Sequence, residues 1–224
     1  MTEFHGRKDE LDFLREKYEY PGGQLVIIYG RRRIGKTETV RHFCKDKTPV
    51  FFTCTQMDDR SQLRNFSAKL LSLNPPQSRY ISEFPSWEQA LSVIKDIPRP
   101  DNSRQILVID EFPYMTKENA EIPSVLQKLW DTELRDRNVM LILCGSSMGY
   151  IEEEILSEKN PLYGRAIGVY KMLPMPFCES SQFFPQWSNK DKIYSPCDSR
   201  KPPPITSRSS ILKKSLKETS ARTS

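Results

Sequence analysis

The sequence predicts a three-layer α/β/α sandwich built around a mainly parallel sheet. Three observations carry that expectation: five short apolar runs, amphipathic helical stretches between them, and a basic turn bracketed by glycines directly after the first run. The runs lie at residues 24–29, 50–55, 105–109, 139–144 and 166–172. They are rich in β-branched residues and lack a sustained polar alternation, which suits a sheet covered on both faces. Strand and helix alternating in this way favour right-handed crossovers and parallel pairing.

The elements follow in chain order. Run 24–29 leads into Gly30-Arg31-Arg32-Arg33-Ile34-Gly35-Lys36-Thr37, and a helix-like stretch occupies 37–43. After run 50–55, Leu63, Phe66, Leu70 and Leu71 recur at helical spacing, and Trp87, Leu91 and Ile94 do the same. Asn74-Pro75-Pro76 and Ile97-Pro98-Arg99-Pro100 mark loops. Run 105–109 ends at Asp110-Glu111, and Leu126, Leu129, Trp130 and Leu134 outline another helix. Run 139–144 ends in Gly145-Ser146-Ser147, with a helix expected to begin near Met148. The last run follows Gly164-Arg165.

Composition narrows the function classes. A chain of 224 residues with 37% hydrophobic and 28% charged side chains suits one soluble globular core, or one domain with an appendage. The longest apolar runs fall far short of the roughly 20 residues of a spanning helix. The polar start lacks a secretory signal, so no membrane contact and a cytoplasmic location are expected. Cys44, Cys54, Cys144, Cys178 and Cys197 form no C-x-x-C pair, and His5 and His42 are the only histidines. Buried or idle thiols are expected rather than zinc or a disulfide frame.

All nine glycines lie between Gly6 and Gly168, and the chain changes character near Pro185. Residues 185–224 carry nine Lys or Arg against three acids, a net +6, so the whole-chain +5 leaves −1 for residues 1–184. The core charge therefore gives no support to a nucleic-acid partner. The basic, Ser/Pro-rich tail is expected to be disordered, with a short helix at 211–216, because it cannot bury enough surface to offset chain entropy.

The chemistry starts at the loop. Residues 30–37 fit G-x-x-x-x-G-K-[ST] between a strand and a helix, the setting of a phosphate-binding loop. Its glycines let successive amides face an anion, and the helix N-terminus adds its dipole. The binding segment is thus Gly30, Arg31, Arg32, Arg33, Ile34, Gly35, Lys36, Thr37 and Glu38. Lys36 would reach the β and γ phosphates and Thr37 would offer its hydroxyl to Mg²⁺. The three arginines raise local attraction for a polyphosphate, but their side chains are expected to point to solvent without a catalytic role.

Asp110 stands where a parallel strand enters the ligand crevice. It can hold the Mg²⁺ hydration shell, and Glu111 can orient or deprotonate a water. If run 139–144 lies between the loop strand and the Asp110 strand, Ser146 or Ser147 reaches the γ phosphate or that water. A serine capping the next helix is the alternative. Arg165 is either a transition-state arginine, of the kind worth about 10³ to 10⁵ in rate, or an ordinary surface residue.

Together, FHGRKDELDFL, IIYGRRRIGKTETV, LVIDEFPYM, LCGSSMGYIEEEIL and PLYGRAIGVYKMLPMPF resemble, in order, the archaeal and bacterial ATPase-domain family of the AAA-like STAND group. The resemblance covers about residues 2–184. It implies a P-loop NTPase domain over 1–184 with the sensor strand between the loop strand and the Asp-Glu strand. It also implies Mg-ATP as ligand and Glu111 as base. Phe4, Gly6, Arg7 and Glu10 would form an N-terminal segment near the adenine, and Arg165 a finger or sensor acting in cis or from a neighbour. A homo-oligomer or a protein partner follows from the latter.

Lys8 stands where the family carries an acid, and Ile167 where it carries Thr. After Ile193 the text YSPCDSRKPPP replaces the family's helical lid and C-terminal domains. A truncated or out-of-frame version of a longer ATPase is the expectation, which other reading frames lacking a helical, glycine-containing continuation would reject. Three functions compete: an ATPase, a nucleotide-binding module with little turnover, and a small-molecule kinase. The kinase would need a second substrate pocket and a basic lid, which the sequence does not display.

Overall fold

Five strands, β1 Gln24–Tyr29, β2 Val50–Thr53, β3 Gln105–Asp110, β4 Val139–Gly145 and β5 Gly168–Lys171, all pair in parallel in the order β2-β3-β4-β1-β5. This is a computed structural model, and it describes residues 4–99, 103–180 and 182. The expected tail and its short helix lie outside the described residues. The strand ending in Gly145 sits between the loop strand and the strand ending in Asp110, as the resemblance implied.

Every residue of β1, β3 and β4 is buried, which explains their unbroken apolar text. Alternate side chains feed two cores. Leu25, Ile27, Leu107, Ile109, Leu141 and Leu143 face one, and Val26, Ile28, Ile106, Val108, Met140 and Ile142 the other. The second core is closed by Leu11 and Leu14 of α1 Lys8–Glu19 and by Val40 and Phe43 of α2 Lys36–Phe43.

The first core takes α3 Asp59–Leu71, α4 Trp87–Ser92, α5 Phe112–Glu118 and α6 Ile122–Leu129. Phe66 lies at its centre, with ring centroids 5.0 Å from Phe52 and 5.4 Å from Trp87. Each fully buried large side chain contributes about 1.5–3 kcal/mol of transfer free energy. Asp58 and Ser86 start α3 and α4 by accepting from the amides of Ser61 and Gln89, while Pro113 and Pro123 sit in the first turns of α5 and α6. The helical spacing through Trp130 and Leu134 continues past α6 as a π turn, Trp130–Leu134.

Three strand ends fall short of the sequence expectation, while β3 and β4 each run one residue beyond it, to Asp110 and Gly145. β2 stops at Thr53 rather than residue 55, although Cys54 N still donates to Asp110 O at 2.8 Å. β5 spans four residues rather than 166–172, yet bonds from Ile167 N to Leu25 O and from Met172 N to Tyr29 O flank it. Apolar text thus overran the regular ladder by a residue or two at each of these ends. α7 Met148–Tyr150 and a π turn, Ile151–Ile155, follow β4, and α8 Phe177–Ser180 follows β5. No helix among the described residues is long and apolar enough to cross a membrane.

Candidate functional site

The carboxyl ends of β1, β3 and β4 lie side by side and deliver three turns to one crevice, where open α/β sheets bind ligands. From β1 the chain turns at Gly30, where a Cβ would stand 2.4 Å from Met172 O, so only glycine allows this approach. Gly35 adopts φ 95°, which disfavours any side chain, and opens α2. Between them Ile34 is buried in the second core, and Arg31, Arg32 and Arg33 are exposed. Glu38 is exposed in the first turn of α2.

Lys36 is 6% exposed and folds back over the loop, its Nζ donating at 2.8 Å to both Gly30 O and Arg31 O. Burial lowers the pKa of this ammonium, while the carboxylates of Glu111 and Asp110 pull it upward. No carboxylate pairs with it among the described residues. A buried cation held only by main-chain carbonyls, beside a helix N-terminus, is ready to exchange those carbonyls for an anion.

Thr37 Oγ1 donates to Asp110 Oδ2 at 2.7 Å, across from α2 to the end of β3. Asp110 is 3% exposed, and burial raises its pKa against the opposing hydrogen bond from Thr37. A buried carboxylate next to a hydroxyl is a hard-oxygen pair suited to Mg²⁺. That ion takes one or two protein oxygens and completes its shell with phosphate and water. Among the described residues no group of three or more His, Cys, Asp or Glu is arranged for a metal, so the rest of such a shell would come from nucleotide and solvent.

Glu111 follows at φ 53° and ψ 41°, a left-handed conformation that costs a non-glycine residue about 1–2 kcal/mol. Its Oε2 accepts from Ser146 Oγ at 2.7 Å and from Ser146 N at 3.3 Å, which joins the ends of β3 and β4. Ser147 occupies the N-cap of α7, but its side chain makes no capping bond. The capping alternative therefore fits neither serine: Ser146 is committed to Glu111. Arg32 is exposed, as expected of the loop arginines, but its side chain is also engaged. Its Nη2 donates to Tyr114 Oη at 2.8 Å and its Nε to Ser146 Oγ at 3.4 Å.

The N-terminal segment reaches the loop from behind. Arg7, 3% exposed, donates from Nη2 to Ile34 O at 2.6 Å and from Nη1 to Glu10 at 2.7 Å and Leu173 O at 2.8 Å. Gly6 lies against the Glu179 side chain, which also accepts from Arg7 N at 2.9 Å. The Phe4 ring stacks on His42 of α2 with centroids 4.0 Å apart. One guanidinium thus ties the loop, α1 and the segment after β5 together. Arg7→Ala is expected to destabilise the domain by about 3 kcal/mol, because it removes a buried guanidinium and leaves a half-buried carboxylate and two carbonyls unmatched. For a chain of this size that means a melting temperature lower by about 6–12 °C; a melt within 1–2 °C of wild type would show that the network bears no strain.

Arg165 stands apart from this cluster. Its Nε and Nη2 bond Asp131 at 2.7–3.1 Å, and Nη1 donates to Pro161 O at 2.8 Å. The neighbouring Ile167 N meets Leu25 O at the start of β1, so Arg165 lies at the end of the sheet opposite the loop.

Residues 4–202 match a family described as an ATPase domain predominantly from Archaea. The chain is 33% identical over 193 residues to an uncharacterised protein of Methanocaldococcus jannaschii, across 85% of this chain and 41% of that protein. It thus spans about two fifths of that relative's length. Among solved structures it resembles the Walker-type ATPase of Pyrococcus abyssi, with a TM-score of 0.57 and 22% identity over 81% of this chain and 57% of the other. The ORC2 protein of Aeropyrum pernix gives a TM-score of 0.58 and 19% identity over 83% of this chain and 53% of the other. At these identities the likeness is one of fold.

Proposed function

The chain belongs to the ATPase-domain family found predominantly in Archaea, and from that premise we propose that it binds Mg-ATP at residues 30–37 and hydrolyses it to ADP and phosphate to drive a conformational switch. The observation that carries this reading is the convergence on one crevice of a buried Lys36, the Thr37–Asp110 pair and the Glu111–Ser146 pair. Loop amides and Lys36 Nζ bind the phosphates, and Thr37 and Asp110 hold the metal. Mg²⁺ held there would supply positive charge to offset that of the phosphates.

Glu111 serves as the base. Ser146 engages its Oε2 through two donors, which leaves Oε1, without a hydrogen bond among the described residues, to hold a water and take its proton. Ser146 in turn links the base to the strand that faces the γ phosphate. The segment from Phe4 to Glu10 borders the adenine, and the buried Nε of Arg7, which lacks a partner, gives that segment a spare donor. The motif order supports membership of the AAA-like STAND group.

Arg165 acts in trans, as a finger offered to the crevice of a second copy. Its position one strand length from its own loop supports this arrangement. Purified protein tests the whole reading through steady phosphate release from Mg-ATP, with a rate per molecule that rises with protein concentration. A rate independent of concentration would reject the trans arginine. Tight Mg-ATP binding with no phosphate release would replace the hydrolase with a nucleotide-gated binding module.

A further inference from the structure

The three loop arginines look equivalent in the sequence, and the structure separates them. The side chains of Arg31 and Arg33 make no hydrogen bond among the described residues, whereas Arg32 lies across the mouth of the crevice on Tyr114 Oη and Ser146 Oγ. Ser146 Oγ is the same atom that donates to Glu111 Oε2. Arg32 therefore belongs to a chain that runs from the loop, through the β4 end, to the β3 end.

The chemistry of these contacts is unbalanced. A guanidinium bonded to neutral hydroxyls forgoes the opposite charge and the bidentate geometry that a carboxylate or phosphate offers. Arg32 has no carboxylate partner among the described residues, and its charge is felt at Lys36, a second cation with none. Asp110 and Glu111 line the same crevice, but neither is in hydrogen-bond contact with Lys36 or Arg32 among the described residues, so a polyphosphate entering it meets two cations whose donors rest on neutral oxygens. The planar fork of Arg32 fits two oxygens of a single phosphoryl group.

We propose that Arg32 is a catalytic residue supplied in cis: with a triphosphate in the loop, its guanidinium leaves Tyr114 and Ser146 for oxygens of the γ phosphoryl group. This rests on reading the loop as an ATP site. In the step it assists, a water oxygen bonds to the γ phosphorus and the bond to the β–γ bridging oxygen breaks. The electron pair leaves with ADP, and the water proton goes to Glu111 Oε1. Arg32 stabilises the charge that builds on the γ oxygens. Its departure also frees the Ser146 oxygen from a donor, so that Ser146 is committed to Glu111 alone.

The test uses the full chain and its Arg32→Ala and Arg32→Lys variants. Phosphate release gives kcat, a fluorescent ADP gives affinity, and retention of ADP after gel filtration with Mg²⁺ and aluminium fluoride reports on the transition-state geometry without turnover. Arg32→Ala is expected to lower kcat by about 10²–10³-fold, the loss seen when one donor to developing charge is removed. ADP affinity should stay within about threefold, trapping should be lost, and Arg32→Lys should recover part of both. An Arg32→Ala chain that traps and hydrolyses like wild type overturns the assignment while the ATP reading stands. Parallel loss of ADP affinity and trapping overturns it too, by making Arg32 a binding residue. A wild-type chain that takes up no Mg-ATP overturns both readings at once.

Discussion

Lys36→Ala is expected to weaken Mg-ATP binding by about 10²–10³-fold and to abolish the rise in melting temperature that the nucleotide gives the wild type. The ammonium is buried and its two bonds run to carbonyls of the loop it closes. Exchanging these for phosphate oxygens puts an anionic acceptor in place of a neutral one, in bonds worth about 1.5–3 kcal/mol each. Two such bonds, less the carbonyl contacts given up, amount to about 3–4 kcal/mol, or two to three decades in affinity. At a ligand concentration of about 100 times Kd, the wild type gains about 2.7 kcal/mol, which is several degrees for a chain of this size.

The variant should show no gain at that concentration and should melt close to wild type without nucleotide. Its substitution strands no carboxylate, and the two loop carbonyls it leaves are offset by deletion of a desolvated cation. Calorimetric titration beside a thermal melt separates the two effects. A variant that keeps the nucleotide-induced shift would place the phosphates somewhere other than residues 30–37.

Much of this framework is legible in the chain, for a physical reason. β1, β3 and β4 are buried at every position, so their text is apolar throughout and their ends fall at the first polar or glycine residue. The crevice follows from the same cause, since Gly30, Asp110 and Gly145 each stand where such a run stops. Helices α1 and α5 were less visible. Leu11 and Leu14 give α1 a buried spacing of only three residues, and Pro113 at the start of α5 reads as a break unless it is taken as a first-turn proline.

Side-chain partnerships across long separations were not legible at all. Arg7 meets Ile34 and Leu173, Arg32 meets Tyr114 and Ser146, and Ser146 meets Glu111. Each depends on strand order and on which way a rotamer turns, neither of which residue spacing records. The nearest available signal was compositional: polar residues placed directly after fully apolar strands. That signal found Ser146 and Asp110, but it could not rank Arg32 above Arg31 and Arg33.

Glu111→Gln is the change expected to separate chemistry from binding. Glutamine keeps the length of the side chain and, through its amide oxygen, can accept the two donors from Ser146 that hold Oε2. It can therefore preserve the link between the β3 and β4 ends. What it cannot do is take a proton from water at the other position, and general-base assistance is worth about 10²–10⁴ in rate. Phosphate release should fall by that factor while Mg-ATP affinity stays within about threefold of wild type or tightens. An interaction that matters only as the reaction proceeds shows this signature, since removing uniform binding would raise KM and leave kcat alone. Unimpaired release from Glu111→Gln would move the base elsewhere and leave the Ser146–Glu111 bond as a structural tie. Equal loss of binding and turnover would mean that the left-handed turn at residue 111 shapes the crevice rather than activating water.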